Sequence, residues 1–183
     1  MIIIGGSAGA FDLISSILKG LDKNIDVPII IILHRLKSAN TLLEEYLQTQ
    51  SHYIVKEAED KEKVRNGYLY TAPSNYHLLL EENLHFSLDA SEEINYSRPS
   101  IDVSFESFSR VLKENCFGVL LSGANQDGAR GLKKIAENGG VTIVQDVKEA
   151  QYESMPRAAI AMYKNHEIST VRTIIKKIND YAK

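Results

Sequence analysis

Residues 29–33 read Ile-Ile-Ile-Ile-Leu, five aliphatic side chains with no polar residue among them. A strand with one wet face alternates apolar and polar residues, whereas an unbroken apolar run needs cover on both faces. Parallel sheets meet that need, because their crossover helices lie on either side. Ile2–Ile4, Phe117–Leu121 and Val141–Val144 are further apolar strands of this kind.

The segments between them carry helical signals. A helix follows the first strand to about Lys19, with Phe11, Ile14 and Leu18 on one face. Thr41 and Glu44 form a capping-box pattern for a helix through Gln50, and a short strand over Tyr53–Lys56 follows. Ser100 precedes Ile101, Phe105, Phe108 and Leu112 at helical spacing. A helix ending at Glu137 is stopped by Gly139-Gly140, Ser154 and Pro156 open another, and the last spans Thr170–Tyr181. Asn66-Gly67 is a tight-turn signal. Around it Tyr68–Thr71, Tyr76–Leu80 and Leu84–Leu88 read as short strands, the last two joined at Glu82-Asn83, in the one region that looks antiparallel. The expected fold is α/β: a doubly wound, mostly parallel sheet flanked by helices, with a small antiparallel hairpin region, in a single domain over residues 1–183.

With 21 basic and 24 acidic residues the net charge is -3, which gives no basic surface for nucleic acid. No apolar run reaches the ~20 residues of a membrane span, so no membrane insertion is expected. The lone cysteine, Cys116, cannot form an internal disulfide and fits a reducing, cytoplasmic compartment as a core thiol. Met1–Ile4 runs directly into glycine, as a buried strand does and a signal peptide does not. A strand beginning at the first methionine also carries the expectation that no regulatory domain precedes it. Nothing in the sequence bears on oligomeric state.

Open parallel sheets collect functional groups outside the carboxyl ends of their strands. Three reactive residues fall at such ends: Ser7 after the first strand, His34 after the second, and Asp127 after Phe117–Leu121. A serine becomes a nucleophile when a base takes its proton and an anion fixes the tautomer of that base. Gly5 and Gly6 permit a sharp strand-to-helix turn that leaves Ser7 at a helix N-terminus, with the Ala8 amide as a natural oxyanion donor. Each residue also has a bland reading. A glycine-rich strand–helix turn more often holds a phosphate or dinucleotide, but that reading predicts an acidic residue ending the second strand, where His34 stands. His34 alone could be structural, and Asp127 before Gly128-Ala129 could simply cap the next helix. The order Ser, His, Asp is also not the order of the α/β-hydrolases, although Gly5-Gly6-Ser7-Ala8-Gly9 matches their nucleophile string literally.

Six segments taken together resemble the catalytic domain of the CheB chemotaxis methylesterases from about Ile2 to Ile178. They are Ile4-Gly5-Gly6-Ser7-Ala8-Gly9, Ile32-Leu33-His34, Ala72-Pro73-Ser74-Asn75-Tyr76-His77-Leu78, Arg98-Pro99-Ser100-Ile101-Asp102, Leu121-Ser122-Gly123 leading to Asp127-Gly128-Ala129, and Met155-Pro156-Arg157-Ala158-Ala159. The resemblance implies a serine hydrolase that cleaves glutamate γ-methyl esters on methylated chemoreceptor-like proteins, and in many members deamidates receptor glutamines. It implies Ser7 as nucleophile, His34 as base and then acid, Asp127 as the group orienting His34, and neither metal nor organic cofactor. The chain departs from the family where Ala124-Asn125 replaces a common Met-Gly in the loop associated with the oxyanion hole, and where Arg35-Leu36 follows His34 in place of Met-Pro. A backbone donor at Ala124 survives the first change. A non-catalytic adaptor that binds receptors or a methyltransferase is the alternative this departure leaves open. Arg35, Arg98 and Arg157 are candidates to line the cleft against acidic receptor helices, with ordinary solvated or paired arginines as the alternative. His52, His77, His85 and His166 lack metal-ligand spacing and read as surface or packing residues, His77 in a supporting role.

Overall fold

The computed structural model describes residues 1–34 and 42–183. Among these, seven strands form one sheet in which every described pairing is parallel: β1 (Ile2–Gly6), β2 (Ile29–Leu33), β3 (Ile54–Glu57), β4 (Tyr68–Thr71), β7 (Phe117–Leu120), β8 (Val141–Gln145) and β9 (Glu167–Ser169), in the order β3-β4-β2-β1-β7-β8-β9. β5 (His77–Leu80) and β6 (Phe86–Asp89) form a separate antiparallel pair. The helices are α1 (Phe11–Lys19), α2 (Leu43–Gln50), α3 (Ile101–Leu112), α4 (Ala129–Glu137), α5 (Ser154–Met162) and α6 (Val171–Tyr181).

The period of two along the central strands divides the core into two layers. Ile2, Ile4, Ile29, Ile31 and Leu33 face α1, α2 and α6, meeting Ile14, Ile17, Leu47, Ile174 and Ile178. Ile3, Ile30 and Ile32 face the other way, toward Phe105 and Phe108 of α3, Leu132 and Ile135 of α4, Met155 of α5 and the β5–β6 pair. All five residues of β2 are buried, which is why its sequence shows no alternation. The architecture is therefore the doubly wound α/β fold expected from the sequence.

Several boundaries differ from the sequence reading. β1 runs on through Gly5 and Gly6, which lie inside the strand and not in a turn. Their smallness serves packing: a Cβ on Gly5 would fall 2.5 Å from Ile101 Cγ2 and 2.9 Å from Phe105 Cζ. The positive φ that bends the chain toward α1 belongs to Gly9, at +77°. β4 is not part of the antiparallel region but lies between β3 and β2, parallel to both, and Gly67 at φ +76° leads into it. The β5–β6 turn is longer than expected, so β6 starts at Phe86. β9 went unread because Glu167 and Ile168 are exposed on a three-residue edge strand, with no apolar run to mark it. Thr41 of the expected capping box lies outside the described residues.

Two buried groups give testable consequences. Gly5→Ala places a methyl group against α3 and is expected to lower stability by about 1–3 kcal/mol in chemical denaturation. An unchanged midpoint would mean that α3 slides away freely. His166 is buried with Nδ1 2.8 Å from Thr142 Oγ1, and burial pushes its pKa down to about 4. The unfolded chain, with an ordinary histidine near 6.5, binds the proton more readily. Stability is therefore intact above pH 6.5 and declines as the pH falls toward 4, by up to about 3 kcal/mol from this group. His166→Gln should flatten that part of the stability–pH curve, and a slope equal to wild type would assign the acid sensitivity to other groups.

Candidate functional site

The parallel register sets the site's first geometry. β1 and β2 pair Gly6 with Leu33, so the next residue on each strand, Ser7 and His34, emerges side by side at the carboxyl edge. The His34 amide donates to Gly6 O at 3.4 Å. On the other flank of β1, the Ser7 amide donates to Ser122 O at 2.9 Å, at the end of β7. Ser122 in turn steadies the turn after Ser7. Its hydroxyl reaches Ala8 O at 2.9 Å and accepts the Tyr152 amide, while its own amide donates to the buried Gln145 Oε1 at 2.8 Å. Ser7 stands one turn ahead of α1, separated from it by Ala8-Gly9-Ala10. The Ala10 amide closes this turn on Ser7 O.

His34 Nε2 lies 2.8 Å from Asp127 Oδ2, a contact between a side chain 14% exposed and one fully buried. Asp127 also accepts the Ile101 amide at Oδ2 (2.7 Å). Its Oδ1 takes the Ser100 hydroxyl (2.9 Å), the Asp102 amide (3.1 Å) and Asn95 Nδ2 (3.1 Å). Burial by itself raises the pKa of Asp127, but the bonds from His34, Ile101, Asn95 and Asp102 outweigh it and hold the carboxyl below its usual range. The carboxylate thus sits at the N-terminus of α3, where free amides and the helix dipole favour an anion. It does not cap α4: the residue before that helix is Gly128, at φ +89°, and no side chain caps it. With the carboxylate as acceptor, Nε2 carries the proton and Nδ1 is the free lone pair. Among the described residues no hydrogen bond joins the Ser7 hydroxyl to His34, whose Nδ1 lies 3.4 Å from Ser97 Oγ.

Four groups here were not singled out from the sequence. Ser100 was read only as the cap of α3. It does accept the Val103 amide, but it also gives its hydroxyl to Asp127. Asp102 is buried and accepts the Gly131 amide at 2.8 Å. Burial raises its pKa, the Gly131 bond opposes this, and the charge of Asp127 adds to it. Asn95 and Ser97 come from a two-residue hairpin in which Ile94 and Ser97 exchange both amide bonds, at 3.2 and 3.0 Å. Its central residues, Asn95 and Tyr96, have φ of +52° and +59°, the signature of a type I′ turn. Asn tolerates that conformation, but a tyrosine there costs about 1–2 kcal/mol. His77 is the one supporting residue the sequence did suggest. Its Nδ1 accepts the Ser100 amide at 3.1 Å and its Nε2 meets Glu92 O at 3.0 Å.

The remaining candidates are placed as follows. Ala124 is exposed on the loop after β7, in which the Asn125 side chain accepts the Asp127 amide at 3.1 Å. Arg98 directs Nη1 onto the carbonyls of Ala90 and Ser91, at 2.6 and 2.5 Å, so that end of its guanidinium ties down a loop. Arg157 pairs with Glu153 at 2.6 Å along α5. Arg35 lies outside the described residues. Between the Asn95-Tyr96 turn, the loop after β7 and α5 opens a cavity of about 580 Å³ whose walls include Asn95, Tyr96, Asn125, Gln126 and Arg157. Cys116 is buried and its thiol is pushed up to about 12 by burial, as a core thiol should be. Among the described residues no helix is long and apolar enough to cross a membrane.

Comparison with known proteins bears on the family and the fold. Residues 2–178 match the family model described as CheB methylesterase. A Leptospira interrogans relative, provisionally named protein-glutamate methylesterase/protein-glutamine glutaminase, is 45% identical over 87% of this chain and 82% of its own length. A Thermotoga maritima protein of that name is 32% identical over 87% of this chain, which spans 47% of it. The methylesterase FrzG of Myxococcus xanthus is 33% identical over 92% of this chain and half of its own. The crystal structure of the Thermotoga maritima CheB methylesterase catalytic domain superimposes with a TM-score of 0.92 at 30% identity, covering 98% of this chain and 96% of that one. A match over nearly the whole chain, in sequence and in fold, makes this protein a member of the CheB methylesterase family.

Proposed function

We propose that the chain hydrolyses glutamate γ-methyl esters on a methylated, chemoreceptor-like protein, releasing methanol, and that the same site deamidates glutamine. The observation that carries this reading is the 2.8 Å bond between His34 Nε2 and Asp127 Oδ2, made where Ser7 and His34 leave neighbouring strands. Names of relatives that join methylesterase and glutaminase activities support both reactions.

Ser7 Oγ attacks the ester carbonyl and its proton passes to Nδ1 of His34, since Nε2 is committed to Asp127. The charge that grows on the ring is balanced by the carboxylate, which stays ionised. The amide of Ala8, in the turn braced by Ser122, and a backbone amide of the Ala124 loop stabilise the oxyanion. His34 then returns the proton to the leaving methoxide, methanol departs, and an acyl-serine remains. Water attacks this ester, giving a proton to Nδ1, and collapse restores Ser7 and frees the glutamate carboxylate. Glutamine follows the same path with ammonia as the leaving group. The substrate is a protein, the setting is the cytoplasm, and no metal or organic cofactor takes part in these steps.

Methanol release from a methylated receptor fragment tests the proposal. Ser7→Ala should lower turnover by about 10⁴-fold without changing the melting temperature. Equal release by mutant and wild type would remove Ser7 as nucleophile. Asp127→Asn should lower turnover by about 10²- to 10⁴-fold, because an amide can present an N–H where Nε2–H needs an acceptor. This exchange also costs stability, about 2 kcal/mol, since an NH₂ group now meets donors that the carboxylate accepted. Wild-type turnover in a folded Asp127→Asn protein would leave Asp127 as an anchor of α3 alone.

A further inference from the structure

We propose that Asn95 is a positioning residue for this reaction: its carboxamide holds the Asp127 carboxylate in the rotation that presents Oδ2 to His34. The inference rests on the hydrolytic reading of Ser7, His34 and Asp127. Asn95 Nδ2 lies 3.1 Å from Asp127 Oδ1 and 3.2 Å from Asp102 Oδ2, so one NH₂ group bridges two buried carboxyls. Its two hydrogens match the two acceptors. The partition around Asp127 is uneven: Oδ1 takes Ser100, Asp102 N and Asn95, while Oδ2 is left to Ile101 N and His34. Removing a donor from Oδ1 loosens the side on which the carboxylate is fixed, and Oδ2 is then free to drift from Nε2.

The hairpin that carries Asn95 meets the histidine from its other side as well. Ser97 Oγ approaches His34 Nδ1 at 3.4 Å and also lies 3.4 Å from Asn95 O. Two consecutive left-handed residues, neither of them glycine, bring both side chains inward and leave Tyr96 98% exposed at the tip. Tyr96 gains no burial from this conformation, whereas Asn95 gains both carboxyls. Among the described residues, the charged and titratable groups linked to the amide are Asp102 on α3, Asp127 before α4, Arg130 in its first turn, and His34 after β2. Arg130 Nε stands 3.7 Å from Asp102 Oδ2, and His77 reaches the set through the Ser100 amide.

Two variants separate positioning from simple support. Asn95→Ala removes the donor. Asn95→Asp keeps the shape, replaces the NH₂ by a carboxyl, and restores one O–H donor only when that carboxyl is protonated. Both should lower kcat by about 10- to 100-fold at pH 8 with KM within about twofold, the usual scale for removing the partner behind a working histidine. As the pH is lowered to 5.5, the activity of Asn95→Asp relative to wild type should climb while that of Asn95→Ala stays level. A kcat within twofold of wild type, a loss confined to KM, or equal pH trends in the two variants would overturn the proposal. A second measurement needs neither substrate nor activity. The proton on His34 Nε2 should give a downfield NMR resonance in the wild type that moves upfield or exchanges away in Asn95→Asp, and an unchanged resonance overturns the proposal. If the wild type releases no methanol, the hydrolytic reading fails and the resonance decides the role of Asn95. If Asn95→Ala does not fold, Asn95→Asp decides both.

Discussion

A single carboxylate with no exposure to water, Asp127, receives five hydrogen bonds from three stretches of chain. Burying an ionised carboxyl is costly unless its lone pairs are met, and here each oxygen has at least two donors. The donors come from the residue after β2, from the start of α3 and from the hairpin before it, while Asp127 itself opens the path to α4. His34, Asp127 and the hairpin–α3 stretch are far apart in sequence and share no secondary structure. What brings them together is one anion at the N-terminus of α3. If it is lost, the helix, the hairpin and the histidine each lose a fixed point.

The sheet prepares that meeting. Parallel strands in register end together, so residues that leave β1, β2 and β7 emerge along one edge. Ser7 is the middle of the three, flanked by His34 and by Ser122. Close packing beneath the edge keeps it level. Gly5 lets Ile101 and Phe105 press against β1, and Ile101 is the residue whose amide binds Asp127. A packing detail inside the core is therefore connected, through one residue of α3, to the position of the carboxylate. The glycines before Ser7 look like turn residues in the sequence and work as spacers in the fold.

How far the sequence could be read follows from the range of each interaction. The central strands were legible because burial on both faces leaves an unbroken apolar run, and α3 was legible because Ser100 and the 3.6-residue spacing agree. β9 was hidden because an exposed three-residue edge strand leaves no such mark. Ser7, His34 and Asp127 stood out by falling at strand ends, a local signal. The alternative reading of Asp127, as a cap, looked to α4 because that helix follows it in sequence, whereas its oxygens reach α3. Asn95 and Ser97 gave no signal at all. Type I′ hairpins are recognised by Asn-Gly, and Asn95-Tyr96 offers only the first half of that pair.

The tyrosine at that second position sharpens the physical account of the site. A backbone conformation that L-residues resist persists only where its surroundings fix it on several sides. The hairpin is fixed by two amide bonds across its base, by Asn95 on two carboxyls, and by Arg98, immediately after it, on the carbonyls of Ala90 and Ser91. In return the hairpin sets an amide between Asp102 and Asp127, where the charge of Asp127 adds to the burial that raises Asp102. In the proposed mechanism Asp127 must stay ionised to balance a charged imidazole, and the Asn95 amide is one of the donors that favour that state. Strain at the surface and ionisation in the interior are thus two ends of one arrangement. The strained hairpin delivers, in Asn95, one of the donors that join His34 and Ile101 in holding the carboxylate ionised.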